Sequence, residues 1–138
     1  MRVGYVTARP EILRHLRQYQ RPWAVGALAI EGARFLSAQD KPAISDLEGL
    51  LKETARLRDA LRALPGISVY DTDSTFMLCM IEQASSLQLK NWLIDHEGIL
   101  IRNCSNFANL SPHHFRIATQ SPEENDVLIS ALHRFLNE

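Results

Sequence analysis

The hydrophobic period of this chain changes from helical to alternating at Pro65-Gly66. Upstream, Leu47, Leu50, Thr54, Leu57, Leu61 and Leu64 recur at steps of three and four, which places them on one face of a helix. Ser45-Asp46-Leu47-Glu48 in front of that run spells a capping box, with Ser and Glu three apart. Pro65-Gly66 then ends the helix. Downstream, residues 67–70 and 75–81 read as strands, separated by the turn-rich Asp71-Thr72-Asp73-Ser74. Residues 86–96 read as a helix with Leu89, Trp92 and Leu93 inward and Gly98 just past its end. Residues 99–102 and 115–119 read as two further strands. Ser121-Pro122-Glu123-Glu124 is a second capping box. It opens a final helix with Val127, Leu128, Ala131, Leu132, Phe135 and Leu136 on one face. The order β-β-α-β-β-α predicts an α+β domain: a small, mostly antiparallel sheet covered on one side by helices.

The first third of the chain reads differently. Val3-Gly4-Tyr5-Val6 has strand character, residues 10–19 read as a short helix, and Pro22 suits the first turn of a second, Ala-rich helix running to about Ala38. Gly26 and Gly32 would lie inside that helix, where each costs about 1 kcal/mol against Ala. A close neighbouring backbone is the expected compensation. A strand so near Met1, with no partner beside it in sequence, suggests a chain cut from something larger. No internal repeat or low-complexity stretch is present.

Bulk properties exclude several classes. A length of 138 residues suits one domain, and a formal net charge of −1 gives no field that would draw the chain to nucleic acid or anionic lipid. No apolar run approaches the roughly 20 residues of a membrane span. Arg2-Val3-Gly4-Tyr5 lacks a secretion signal's apolar stretch, so a cytoplasmic protein is expected. Cys79 and Cys104 sit in apolar surroundings and read as two buried free thiols.

Among charged residues, Arg116 carries the most information. In His114-Phe115-Arg116-Ile117-Ala118-Thr119, alternation sends Phe115 and Ile117 to one face and Arg116 to the other. The pattern leaves two readings open: a solvated surface arginine, or a planar fork holding a carboxylate through two parallel hydrogen bonds. Arg102 closes the preceding strand, and two arginines on neighbouring strands would form an anion pocket. Arg14, Arg17 and Arg21 fall at helical steps and read as a solvated face. Adjacent His113 and His114 point apart and lack metal-ligand spacing. Paired catalytic carboxylates, a nucleophile elbow, a P-loop and a dinucleotide fingerprint are all missing.

These same residues carry a family resemblance. Ile99-Leu100-Ile101-Arg102-Asn103-Cys104-Ser105-Asn106-Phe107, Leu110, His114-Phe115-Arg116-Ile117-Ala118 and Glu123-Glu124-Asn125 resemble the C-terminal stretch of the threonine-phosphate decarboxylases. The histidinol-phosphate aminotransferases are the next most similar, both within fold-type I pyridoxal-phosphate (PLP) enzymes. Pro22-Trp23-Ala24-Val25-Gly26-Ala27-Leu28-Ala29, Leu64-Pro65-Gly66, Val69-Tyr70 and Phe76-Met77-Leu78 also match, in order, along essentially the whole chain. The chain departs from the family at Gly26 and Thr75, commonly Asn, and at Gln120, often basic.

The resemblance implies the C-terminal domain of the aspartate-aminotransferase fold. Residues 1–8 would end a missing large PLP-binding domain, 9–45 would be connecting helices and 46–138 the small domain. Arg2 would contact the PLP phosphate, Arg116 the substrate α-carboxylate and Arg102 a further acidic group. The family's Schiff-base lysine would precede the position of Arg2, which leaves no catalytic residue here: the lysines are Lys41, Lys52 and Lys90. The implied parent is a homodimer that binds PLP and an amino-acid or amino-phosphate substrate, without nucleic acid or membrane. It would be a threonine-phosphate decarboxylase of cobalamin biosynthesis or an aminotransferase, with this part inactive alone. A free-standing α+β binding module is the remaining alternative.

Overall fold

A computed structural model describes residues 3–39 and 46–138, and the chain divides into two units, Met1–Ser45 and Asp46–Glu138. The first unit contains α1 (Pro10–Arg17) and α2 (Ala27–Ser37). Pro10 opens α1, where its missing N–H leaves no intrahelical bond unmade. Two expectations fail here. Residues 3–6 form no strand, because a strand needs a neighbour for its N–H and C=O groups and none of the described residues supplies one. The second helix starts at Ala27 rather than Pro22. Trp23 has φ 54, a left-handed conformation incompatible with a right-handed helix, and Gly26 is extended (φ −73, ψ 154) at the N-cap. Gly26 therefore lies outside the helix, and only Gly32 sits within it. The unit exposes large apolar side chains, including Tyr5, Trp23, Leu28 and Phe35.

The second unit contains α3 (Leu47–Arg62), β1 (Ile67–Val69), β2 (Phe76–Ile81), α4 (Ser86–Glu97), β3 (Arg102–Asn103), β4 (His114–Ala118) and α5 (Pro122–Leu136). Every strand pair is antiparallel and the sheet order is β1-β2-β4-β3. The helices cover one face. Met77, Cys79 and Ile81 of β2 and Phe115 of β4 point into it and meet Leu57 and Leu61 of α3, Leu89 and Leu93 of α4 and Leu132 of α5, all fully buried. The fold class is the one the change of period predicts.

Local signals hold the helices in place. Ser121 and Glu124 cap α5 reciprocally with Pro122 in its first turn, and Gly98 closes α4 at φ 66, both as expected. Ser85 and Gln88 form a further capping box on α4. Asp46 caps α3 by accepting from the Gly49 N–H at 2.8 Å, while the expected Ser45 lies outside the described residues. Two expected core positions stay half-exposed: Leu47 in the first turn of α3, and Val127, which borders a cleft.

The strand expected over 99–102 is displaced to Arg102–Asn103. The N–H of Ile99 is taken by the Leu93 carbonyl of α4 at 3.0 Å, so the chain stays with the helix end until Arg102.

Both cysteines are buried and free, as their apolar settings predict. Burial pushes the Cys79 thiol up to about 12, and burial raises Cys104 as well. A thiol reagent at neutral pH should therefore label neither residue in the folded chain and both once denaturant unfolds it. Fast labelling of Cys79 without unfolding would contradict this packing.

Candidate functional site

Antiparallel register sets the geometry. Leu78 faces Arg116 across the β2–β4 ladder, and Arg116 faces Arg102 across the β4–β3 ladder. Residues directly opposite one another in a sheet project from the same face, with Cβ atoms about 5 Å apart. Arg102 and Arg116 are therefore neighbours on the face that the helices leave open, and both side chains are exposed.

Their partners set them apart. In residues 46–138, Arg56 pairs with Glu53 and Asp126 (each 2.8 Å), Arg58 with Asp59 (3.1 Å), Arg62 with Asp71 (2.6 Å) and Arg134 with Glu97. Arg102 and Arg116 are the two arginines of this unit with no carboxylate within ion-pair distance among the described residues. Like charges placed directly opposite each other destabilise a ladder. The pair concentrates positive charge on this part of the sheet. Cys104 registers it: burial pushes the thiol up, while the Arg116 and Arg102 charges pull against that rise.

Beside the pair lies a cleft of about 460 Å³, within the size range of small-molecule sites. Its origin is the short β3. Continued pairing would set Ile101 against Ile117 and Leu100 against Ala118, but the ladder stops at Arg102 and those four residues line the gap instead. Val127 and Leu128 of α5 supply apolar wall, and Gln120, Glu124 and Asn125 supply polar atoms.

The C-terminal end of β4 is anchored by buried polar contacts. Thr119 and Thr54 of α3 share a hydroxyl hydrogen bond of 2.9 Å, and Thr54 also donates to the Leu50 carbonyl. Asn125 is 1% exposed and fully satisfied. Its Oδ1 accepts from the Gln120 N–H at 3.1 Å, and its Nδ2 donates to Glu53 at 2.8 Å and the Gln120 carbonyl at 3.0 Å. At the other end, the Ser111 N–H donates to His114 Nδ1 at 3.1 Å. That leaves Nε2 to carry the proton facing the Tyr70 hydroxyl at 3.0 Å. Arg116 sits between two fixed strand ends.

Other sequence-level candidates resolve simply. Arg2 and Lys41 lie outside the described residues. Arg14, Arg17 and Arg21 are exposed, as a solvated face requires. His113 Nδ1 donates to the Ala84 carbonyl at 2.8 Å, and no group of three metal-ligating side chains occurs among the described residues. Two contacts lie beyond the reach of sequence reasoning. Arg116 Cζ lies 4.9 Å from the ring centre of Phe76, and Arg102 Cζ lies 5.4 Å from that of Phe107. Alternation alone places Phe76 on the open face, but no local signal identifies its partner or that of Phe107.

Known proteins resemble this chain over most of its length. The family model described as aminotransferase class I and II matches residues 1–132. The threonine-phosphate decarboxylase of Salmonella typhimurium is 30% identical over 137 residues, spanning 99% of this chain and 37% of its own length. The histidinol-phosphate aminotransferase of a Hydrogenobaculum species is 32% identical over 133 residues, covering 96% of this chain and 37% of its own length. The crystal structure of L-threonine-O-3-phosphate decarboxylase from Porphyromonas gingivalis superposes with a TM-score of 0.81 at 32% identity, over 95% of this chain and 40% of that one. The chain thus spans little more than a third of the length of the curated relatives it matches.

Two outcomes follow from the polar anchor. Asn125→Ala strips the Gln120 N–H and Glu53 of a buried partner and should destabilise the chain by about 2 kcal/mol in urea unfolding. Hydrogen bonding from Arg56, opposed by burial and aided by Asn125, holds the Glu53 carboxyl below its usual 4.5. A depressed folded-state value contributes stability above 4.5 and loses it as pH falls through that lower value. The acid limb of a stability–pH profile should therefore be shallower in Glu53→Gln than in the parent chain.

Proposed function

The chain belongs to the aminotransferase class I and II family, and from that premise we propose that it is the substrate-gripping part of a PLP enzyme, a threonine-phosphate decarboxylase of cobalamin synthesis. The carrying observation is the rung that sets Arg102 opposite Arg116, with no carboxylate partner for either among the described residues. Arg116 donates two parallel N–H···O bonds to the substrate's α-carboxylate, and Arg102 takes the second acidic group, a phosphate. A substrate with two anionic groups offsets the repulsion that the bare rung carries, and a bidentate grip fixes the carboxylate's orientation for reaction. The small sheet covered on one face is the C-terminal domain of the aspartate-aminotransferase fold, shared with the solved relatives. The matches to histidinol-phosphate aminotransferases favour, as the second reading, a transaminase acting on an amino phosphate. The whole enzyme would act in the cytoplasm as a homodimer.

PLP, when bound, supplies an electron sink for the bond broken at Cα. The cleft residues fit the substrate's acids but not covalent attachment of this cofactor, since no lysine among the described residues lines the cleft. Lys52 pairs with Glu48 at 2.7 Å on the exposed side of α3, and Lys90 lies on α4. This chain alone is therefore proposed to bind substrate acids without turning them over.

Two measurements test the reading. Calorimetry should show O-phospho-L-threonine binding more tightly than L-threonine. Arg116→Lys should weaken it roughly tenfold, because Lys loses the bidentate fork; equal binding by the Lys variant would overturn the role. Addition of PLP should yield no stable imine band. A strong band that borohydride fixes onto Lys41, Lys52 or Lys90 would refute the claim of inactivity.

A further inference from the structure

In residues 46–138, the two arginines without a carboxylate partner are also the two whose guanidinium groups lie over aromatic rings: Arg116 over Phe76 at 4.9 Å and Arg102 over Phe107 at 5.4 Å. Both distances fall within the roughly 6 Å reach of a cation–π contact. Both rings are far from core-like, Phe76 being 49% and Phe107 38% exposed. Hydrophobic burial does not account for their placement. Phe76 reaches Arg116 as a diagonal cross-strand neighbour, since Leu78 faces Arg116 and Phe76 faces Ala118 on the same side of the sheet. Phe107 is folded back by a turn in which its N–H bonds the Cys104 carbonyl at 2.9 Å.

We propose that Phe76 and Phe107 are positioning residues that hold the two guanidinium forks in place before any anion arrives. This rests on the anion-gripping reading of Arg102 and Arg116. A long arginine side chain on an open sheet face samples many rotamers, and ordering it on binding costs affinity. A ring face supplies an attractive surface that occupies the plane of the guanidinium and leaves its N–H edge free. A carboxylate partner would also order the arginine, but it would occupy that edge.

The two forks are also inequivalent. Arg102 already donates from one terminal nitrogen to Asn106 at 3.3 Å. Arg116 makes no side-chain hydrogen bond among the described residues and keeps all five donors available. The Phe76–Arg116 pair is therefore the stronger determinant of anion affinity, and Phe107 with Asn106 the weaker.

The test uses the full chain, with inorganic phosphate as the probe in calorimetry and heteronuclear NMR of the arginine Nε–H groups. Phe76→Leu should weaken phosphate binding about two- to fivefold, the range a partly exposed cation–π contact supports. Phe76→Tyr, which keeps the ring, should restore it. The Arg116 Nε–H resonance should lose its ring-current shift in Phe76→Leu and keep it in Phe76→Tyr, a signature that altered stability alone would not produce. Phosphate binding that Phe76→Leu leaves unchanged while Arg116→Gln abolishes it would overturn the ring assignment and spare the anion reading. Binding that Arg116→Gln leaves unchanged, or no binding by the parent chain, would overturn the anion reading itself. An Arg116 resonance indifferent to Phe76 would dismiss the ring contact whatever the affinities.

Discussion

Two positive charges facing each other across a single rung of a β-ladder form an arrangement that folding alone does not favour. The Arg102–Arg116 rung persists because everything around it is fixed. β4 is paired to β2 on its other side, its buried face is filled by Phe115 and Ile117, and its ends are tied by His114 and Thr119. The helical layer, the ladder and the hydroxyl contacts thus all serve to hold a short strand whose outward residue is uncompensated. The proposed binding role accounts for such a local cost at a rigid position, since a partner from outside can remove it.

The parts of this architecture legible in the sequence are those governed by local rules. The change of period at Pro65-Gly66 separates α3 from the sheet because backbone geometry ties side-chain spacing to helix or strand. Ser121 and Glu124 announce α5 because both partners of that cap lie three residues apart. The orientation of Arg116 follows from strand alternation. That Arg102 shares its rung does not follow, because register depends on which strand neighbours which and where the intervening chain turns.

The misplaced boundaries have equally specific causes. Pro22 is well suited to a helix start, yet the left-handed backbone of Trp23 delays the helix to Ala27. Residues 99–102 look uniformly strand-like, but the end of α4 claims the Ile99 N–H. Composition recognised an apolar run and missed a competing hydrogen bond, and that same competition opens the cleft beside the arginines. Asn125 illustrates the opposite case: an ordinary polar residue in sequence, it proves to be one of the most buried side chains, with the distant Glu53 and both backbone groups of Gln120 converging on it.

The order of the strands has a further consequence. β2 is six consecutive uncharged residues, Phe76-Met77-Leu78-Cys79-Met80-Ile81, without proline or glycine. Such a segment is well suited to stacking into a fibril. It lies at the interior of the sheet, with β1 and β4 hydrogen-bonded along its two sides. The strands left at the rims, β1 and β3, contain three and two residues and offer little template to another molecule. The chain is thus guarded against edge-to-edge growth while its ladders are intact, and partial opening that frees β2 from either flank would present its most aggregation-prone sequence to solvent.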